Sequence, residues 1–241
     1  MTASIHSLGF YTTPTHTCSY FKDRQAITMF ADPRFPKSGS LYSQLAKYGF
    51  RRSGKHIYQP HCEMCTACIP VRIPVNDFIP NRNQKRTLLK NKELKSNILP
   101  AGFHKEHFNL YKRYLEFKHP GGGMDNPSVE SYTDFLFADW METIILEIYL
   151  DQELLAIAVI DQLNDSLSAV YTFYNPEFTE RSLGTYAILL EIEKARELGL
   201  KWLYLGYWIN GCKKMSYKNN FNPLEYYINN AWTLAPKHYK T

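Results

Sequence analysis

Apolar positions along the chain change period several times, and each change marks an element. From His104 to His119, Phe108, Leu110, Tyr111, Tyr114, Leu115 and Phe117 recur at helical spacing until Pro120-Gly121-Gly122-Gly123 stops the helix. Ser128 is the expected N-cap of a second helix that ends near Trp140, with Ser131 as the alternative start. Three strand-like runs follow, Thr143 to Leu150, Leu154 to Leu163 and Leu167 to Tyr174. Asp151-Gln152 and Asn164-Asp165 are the turns between them, which predicts an antiparallel meander. Gly184 to Leu198 is an amphipathic helix closed by Gly199; Lys201 to Tyr207 and Leu224 to Trp232 read as strands. Upstream, residues 1 to 39 are rich in Thr, Pro and Ser and read as loops and short strands. Ser40 is expected to cap a helix that reaches Tyr48 and ends at Gly49. The β-branched run Ile69 to Val75 is bracketed by Pro70 and Pro74, which predicts an edge strand.

This order predicts an α+β protein in two parts joined at Pro100-Ala101-Gly102. Residues 1–102 form an N-terminal domain with a cysteine loop and a basic segment. Residues 103–241 have the element order of an acetyltransferase-type (GNAT-like) domain with a mainly antiparallel sheet. Members of that fold that use acyl-CoA hold the pyrophosphate on an Arg/Gln-x-x-Gly-x-Gly/Ala turn at a helix N-terminus. Here the turn reads Arg181-Ser182-Leu183-Gly184-Thr185-Tyr186, and the bulk of Tyr186 is expected to keep the pyrophosphate out. An acyl-CoA N-acetyltransferase is therefore disfavoured, and another activated acyl donor is expected. An aminoacyl ester on tRNA qualifies. An α-amine with pKa near 8 is already about a tenth neutral at pH 7, so positioning and oxyanion stabilisation carry most of the rate. Backbone N–H groups of Ala169 to Phe173, with the hydroxyls of Tyr171 and Tyr207, are the catalytic candidates.

The formal charge of +5 is mild, but it is concentrated: Arg82, Lys85, Arg86, Lys90, Lys92 and Lys95 face only Glu93 within one segment of helical composition. Such a face either is solvated or meets anions, and Arg82, Lys85, Arg86 and Lys90 are the candidates for tRNA phosphates. Aromatic residues make up 15%, enough for either dense packing or base stacking. The N-terminus lacks a secretory pattern and no run approaches a membrane span, which predicts a cytoplasmic protein without a membrane partner. Five cysteines in a reducing compartment point to thiols or metal ligands rather than a disulfide framework.

Five ordered blocks resemble one family. They are Tyr58 to Arg86, His119 to Asp125, Ser168 to Pro176, Ser182 to Tyr186 and Gly206 to Lys218. The chain resembles the aminoacyl-tRNA-protein transferases of the arginyltransferase family, most closely its compact bacterial branch. That resemblance implies transfer of leucine from leucyl-tRNA to an N-terminal Asp or Glu, marking the acceptor for degradation; eukaryotic relatives transfer arginine. An acidic N-terminus calls for an arginine fork or clustered lysines, and Arg72, Lys214 and Lys218 are the candidates; a salt bridge is the equal alternative for Arg72. The eukaryotic relatives are associated with an iron–sulfur cluster. In this chain Cys18, Cys62, Cys65 and Cys68 restore a count of four thiolates suited to zinc or a cluster, with packed thiols as the alternative. Transfer itself requires no cofactor. Cys212 reads as a packed thiol remote from the others.

Overall fold

The computed structural model describes residues 8–118 and 126–234. The glycine run Gly121 to Gly123 therefore lies outside the described residues.

The strands are β1 (Phe10–Thr12), β2 (His16–Thr17), β3 (Gln25–Ala26), β4 (Thr28–Ala31), β5 (Arg51–Ser53), β6 (His56–Pro60), β7 (Cys68–Pro74), β8 (Lys95–Pro100), β9 (Thr143–Leu150), β10 (Glu153–Gln162), β11 (Ser166–Tyr174), β12 (Trp202–Ile209), β13 (Glu225–Ile228) and β14 (Ala231–Leu234). The helices are α1 (Gly39–Ala46), α2 (Arg82–Lys90), α3 (Lys105–Lys118), α4 (Val129–Leu136) and α5 (Leu183–Glu197). An eight-stranded sheet runs β14-β13-β7-β12-β11-β10-β9-β8, and a four-stranded sheet runs β1-β4-β6-β5. All pairs in the large sheet are antiparallel except β11 with β12.

The middle strands are apolar without a break because both faces of the sheet are covered. In β9, Ile144, Leu146 and Ile148 join a core with α5, while Ile145 joins a second core with α3 and α4. The meander predicted over β9, β10 and β11 is present. Ser128 caps α4 as expected and shares a reciprocal capping box with Ser131, but the helix ends at Leu136. α1 starts one residue before Ser40, with Ser38 as its N-cap. The last predicted strand is a hairpin, β13 and β14, turned at Asn229 and Asn230, which both have positive φ.

The edge-strand expectation for β7 is corrected. It is an interior strand, flanked by β12 on one side and β13 on the other. Its prolines are tolerated because β13 pairs only with Val71 and Arg72, leaving Pro70 and Pro74 outside that pairing. β7 and β8, which precede the joint at residue 102, pair with strands that come after it.

A buried ion pair ties the small sheet to the large one. Arg52 on β5 donates from Nε and Nη2 to Asp161 on β10 at 2.7 and 2.6 Å, and both side chains are fully buried. Thr143 Oγ1 donates to the same carboxylate at 2.7 Å, and Arg52 also reaches the carbonyls of Gly54 and Leu136. Such a fully hydrogen-bonded pair is costly to break, because the surviving charge is left buried. Asp161→Asn is expected to lower stability by about 3–5 kcal/mol in urea unfolding. A loss below about 1 kcal/mol would show that the pair does not hold the two sheets together.

Candidate active site

The two central strands part company. β11 and β12 pair in parallel only at Ser166 with Trp202, Leu167 with Leu203 and Ser168 with Tyr204, although both strands run on. Bulges at the same level re-aim both. The β10–β11 register skips Val170, and the β7–β12 register skips Leu205. Gly206 follows with φ +78°, a conformation that favours glycine.

Arg51 from β5 fills the gap. Its Nη1 donates to Ser168 Oγ at 2.8 Å and its Nη2 donates to the Ala169 carbonyl. A Cβ on residue 206 would stand 3.3 Å from Arg51 Nε, so the missing side chain lets the guanidinium lie against β12. Tyr42 from α1 shares the Ser168 hydroxyl at 3.2 Å.

Three further polar side chains are electrostatic neighbours of Arg51. Glu191 on α5 is fully buried, and neither carboxylate oxygen has a hydrogen-bond partner among the described residues. Burial raises its pKa to about 8, against the lowering influence of Arg51. Lys218, in the helical segment Lys213–Asn220, is buried and donates to the Tyr207 carbonyl at 2.6 Å. Burial, reinforced by Arg51, lowers its pKa to about 7. Tyr217 is 43% exposed as a residue; desolvation and the Glu191 carboxyl raise its pKa to about 12, against the lowering influence of Arg51. Tyr114, Tyr171 and Tyr174 continue this aromatic lining along β11 and α3.

The predicted site residues fall in different places. Tyr171 packs its ring against Tyr111, Tyr114 and Phe135, and burial raises its hydroxyl pKa above the usual range. Tyr207 spends its hydroxyl on the Gly49 and Tyr58 carbonyls, at 2.9 and 3.4 Å, so it secures the turn that leads into β5. Arg72 has the geometry of the salt-bridge alternative. Its Nε donates to Glu225 Oε2 at 2.6 Å, Nη1 donates to the Tyr204 hydroxyl, and the guanidinium lies 4.0 and 4.3 Å from the Trp202 and Trp232 ring centres. Lys214 is exposed, whereas Lys218 lies within the splay. Arg82, Lys85 and Arg86 are exposed on α2, which packs against α5, and Lys90 donates to the Glu180 carbonyl at 2.8 Å.

At the Arg181–Tyr186 turn, Tyr186 is buried in the core with α5, and Glu93 is an electrostatic neighbour of its hydroxyl. Arg181 of the turn is held to the same Glu93 at 2.8 Å beside α2. Arg51 and Glu191 had gone unnoticed in the sequence, although an acid on the apolar face of α5 was a legible signal.

The cysteines are gathered more completely than the sequence suggested. Cys68 is an electrostatic neighbour of Cys18, Cys62, Cys65 and Cys212. Cys212 joins because Ile209 pairs with Cys68 and the Asn210 N–H donates to the Ala67 carbonyl. The sulfurs accept N–H bonds: Cys18 from Tyr20, Cys62 from Ile27 and Cys65 from Arg24. Among the described residues, however, no three His, Cys, Asp or Glu side chains are arranged to hold a metal ion. Two surface cavities are present, one of about 490 Å³ over Tyr11 and His56 and one of about 440 Å³ at the cysteine loop itself, lined by Arg24, Cys65 and Asn210.

Comparison with known proteins gives this arrangement a family. Residues 16–86 match the model for the arginine-tRNA-protein transferase N terminus, and residues 106–228 match that for its C terminus. The chain belongs to the arginine-tRNA-protein transferase family. Its curated relatives in that family include the aspartate/glutamate leucyltransferase of Marinobacter nauticus, 48% identical over 95% of this chain and 97% of that protein. The protein of the same name from Alcanivorax borkumensis is 49% identical over 95% and 94%. That from Pseudomonas syringae pv. syringae is 49% identical over 93% and 96%. Strand β5, which supplies Arg51, and strands β11 and β12 fall within the matched family segments.

Thiol reactivity follows from the same geometry. The Ala67 N–H and Arg24 hold the Cys65 pKa down, whereas burial and the neighbouring sulfurs push Cys68 up to about 12. Alkylation near neutral pH, followed by peptide mass spectrometry, is expected to modify Cys65 well before Cys68; the reverse order would contradict this placement.

Proposed function

We propose that this family member transfers leucine from leucyl-tRNA to the N-terminal Asp or Glu of acceptor proteins, forming a peptide bond and marking them for degradation. The observation that carries the reading is near-full-length identity of 47–49% with proteins named aspartate/glutamate leucyltransferase. The chain is accordingly an aminoacyltransferase.

The geometry is suited to that chemistry. Aminolysis of an ester needs an oriented carbonyl and donors aimed at the oxygen that becomes charged. A parallel pair that opens beyond Ser168 leaves backbone polar groups of β11 and β12 unpaired with one another, where an acyl carbonyl can be bound. The exposed cations of α2 lie on the side of α5, a suitable approach for the phosphates of a tRNA acceptor end. Arg51, held in the splay, and exposed Lys214 in the same block as Lys218 supply positive charge for an acidic acceptor. No helix among the described residues is long and apolar enough to cross a membrane.

The family description names arginine and the relatives name leucine, so donor choice is the point to test. The protein is incubated with radiolabelled leucyl-tRNA or arginyl-tRNA and peptides beginning with Asp, Glu, Asn or Ala. Label is expected to move only from leucyl-tRNA and only to the Asp and Glu peptides. Transfer from arginyl-tRNA alone, or equal use of Asn, would overturn the proposed donor or acceptor.

A further inference from the structure

The outer face of the small sheet carries a continuous row of rings. Residues paired directly across antiparallel strands point to one face, and the register puts Tyr11 on β1, Phe30 on β4, Tyr58 on β6 and Arg51 on β5 in one such line. The opposite face holds Ala31, Arg52 and Ile57, which are all buried. Ring centres of Phe30 and Tyr58 are 6.1 Å apart, and those of Tyr58 and of Tyr207 on β12 are 6.3 Å apart. The line begins at the surface, where Tyr11 is 50% exposed, and ends at the splay, where Arg51 is seated against Ser168 and Ala169. At its outer end is the cavity of about 490 Å³, walled by Tyr11, Phe30 and Pro33, with the His56 ring edge-on to Phe30 at 5.8 Å. One rim is polar. The Tyr11 hydroxyl accepts from Arg34 Nη2 and donates to Asp32 Oδ2 at 3.4 Å, and Arg34 Nε donates to Asp32 Oδ1 at 3.1 Å.

Rings interleaved with cations are the lining that unpaired nucleic acid requires, because every base has a flat face to stack and every phosphate a charge to neutralise. The charge is present: residues 8–61 hold eight lysines and arginines against two aspartates, so this segment alone exceeds the +5 of the whole chain. The polar rim sets a donor, Arg34, beside an acceptor, Asp32, which suits the mixed edge of a nucleobase. We propose that the outer face of the small sheet is a stacking platform for the unpaired 3′ end of the aminoacyl-tRNA, with a base in the cavity beside Tyr11 and the aminoacyl ester delivered toward Arg51. This rests on the proposed leucyl transfer. Three strand spacings separate Tyr11 from Arg51, roughly 14 Å in all, a span that a few extended nucleotides cover. An acceptor recognised by its acidic first residue supplies no ring for the slot, whereas any base does. The α2 cations are left to phosphates further along the tRNA.

The test pairs a side-chain change with a change in the RNA. Binding of the full-length protein is measured to leucine-accepting tRNA with and without its unpaired 3′ nucleotides. Tyr11→Ala is expected to weaken binding of the intact tRNA at least about fivefold, the worth of one stacked base, and that of the shortened tRNA less than about twofold. Tyr11→Phe, which keeps the ring, is expected to stay within about twofold of wild type on both. A photoreactive thiouridine placed in the unpaired 3′ end is expected to crosslink wild type at Tyr11, Phe30 or His56, a result that does not depend on any variant folding. Crosslinks confined to residues outside the small sheet overturn the platform, as does a folded Tyr11→Ala protein that binds both tRNAs like wild type. Tyr11→Ala that raises the KM for an Asp-initiated peptide at unchanged tRNA affinity gives the cavity to the acceptor chain and also overturns it. Each of these leaves leucyl transfer standing as long as wild type moves leucine to the peptide; wild type that neither binds leucyl-tRNA nor transfers leucine overturns both.

Discussion

The site depends on one wedge, the Arg51 guanidinium seated between β11 and β12. Backbone hydrogen bonding would otherwise continue past Ser168, because two parallel strands that have begun to pair gain a bond with each further residue. The bulges at Val170 and Leu205 break that progression, and Arg51 replaces it with side-chain donors to Ser168 and Ala169. Gly206 makes the replacement possible by leaving room on the β12 side. A planar, permanently charged fork serves here because its donors are fixed in direction and do not titrate.

Placing that charge inside the protein organises what surrounds it. Lys218 is pushed toward neutrality by burial and by Arg51, while burial holds Glu191 toward its protonated form. The site is therefore nearly neutral around its single fixed cation, and an incoming acidic chain end meets a field that its own charge complements. The second buried arginine, Arg52, points the other way along β5 and is closed by Asp161. One strand of three residues thus supplies an anchor and a site group side by side, which explains why so short an element is held so firmly.

The elements were legible wherever local chemistry decided them. Strands β9, β10 and β11 announced themselves through unbroken apolar runs and polar turns, α4 through its serine cap, and α2 through its charge. What depended on long-range pairing was not legible. Pro70 and Pro74 argued for an edge strand, but they only had to avoid two paired residues of β13. Asn229-Asn230 was a readable turn inside what looked like one strand. Cys212 seemed remote because nothing local shows that Ile209 pairs with Cys68. Arg51 gave no signal at all, being one of several cations before a tight glycine turn. Glu191 did give one, since its spacing from Ile188 and Ala195 places an acid on the buried face. Tyr207 and Arg72 looked like site groups by residue type, but their hydrogen bonds are taken up by the fold.

The central claim is that the strands held apart by Arg51 form the place where the leucyl group changes hands. Single-turnover transfer from prebound leucyl-tRNA to an Asp-initiated peptide by Arg51→Gln measures it most directly. The account predicts a rate at least about 100-fold below wild type with leucyl-tRNA affinity within threefold, because the wedge acts on the reacting carbonyl and not on the tRNA phosphates. A correctly folded Arg51→Gln protein that transfers leucine within threefold of wild type would contradict it.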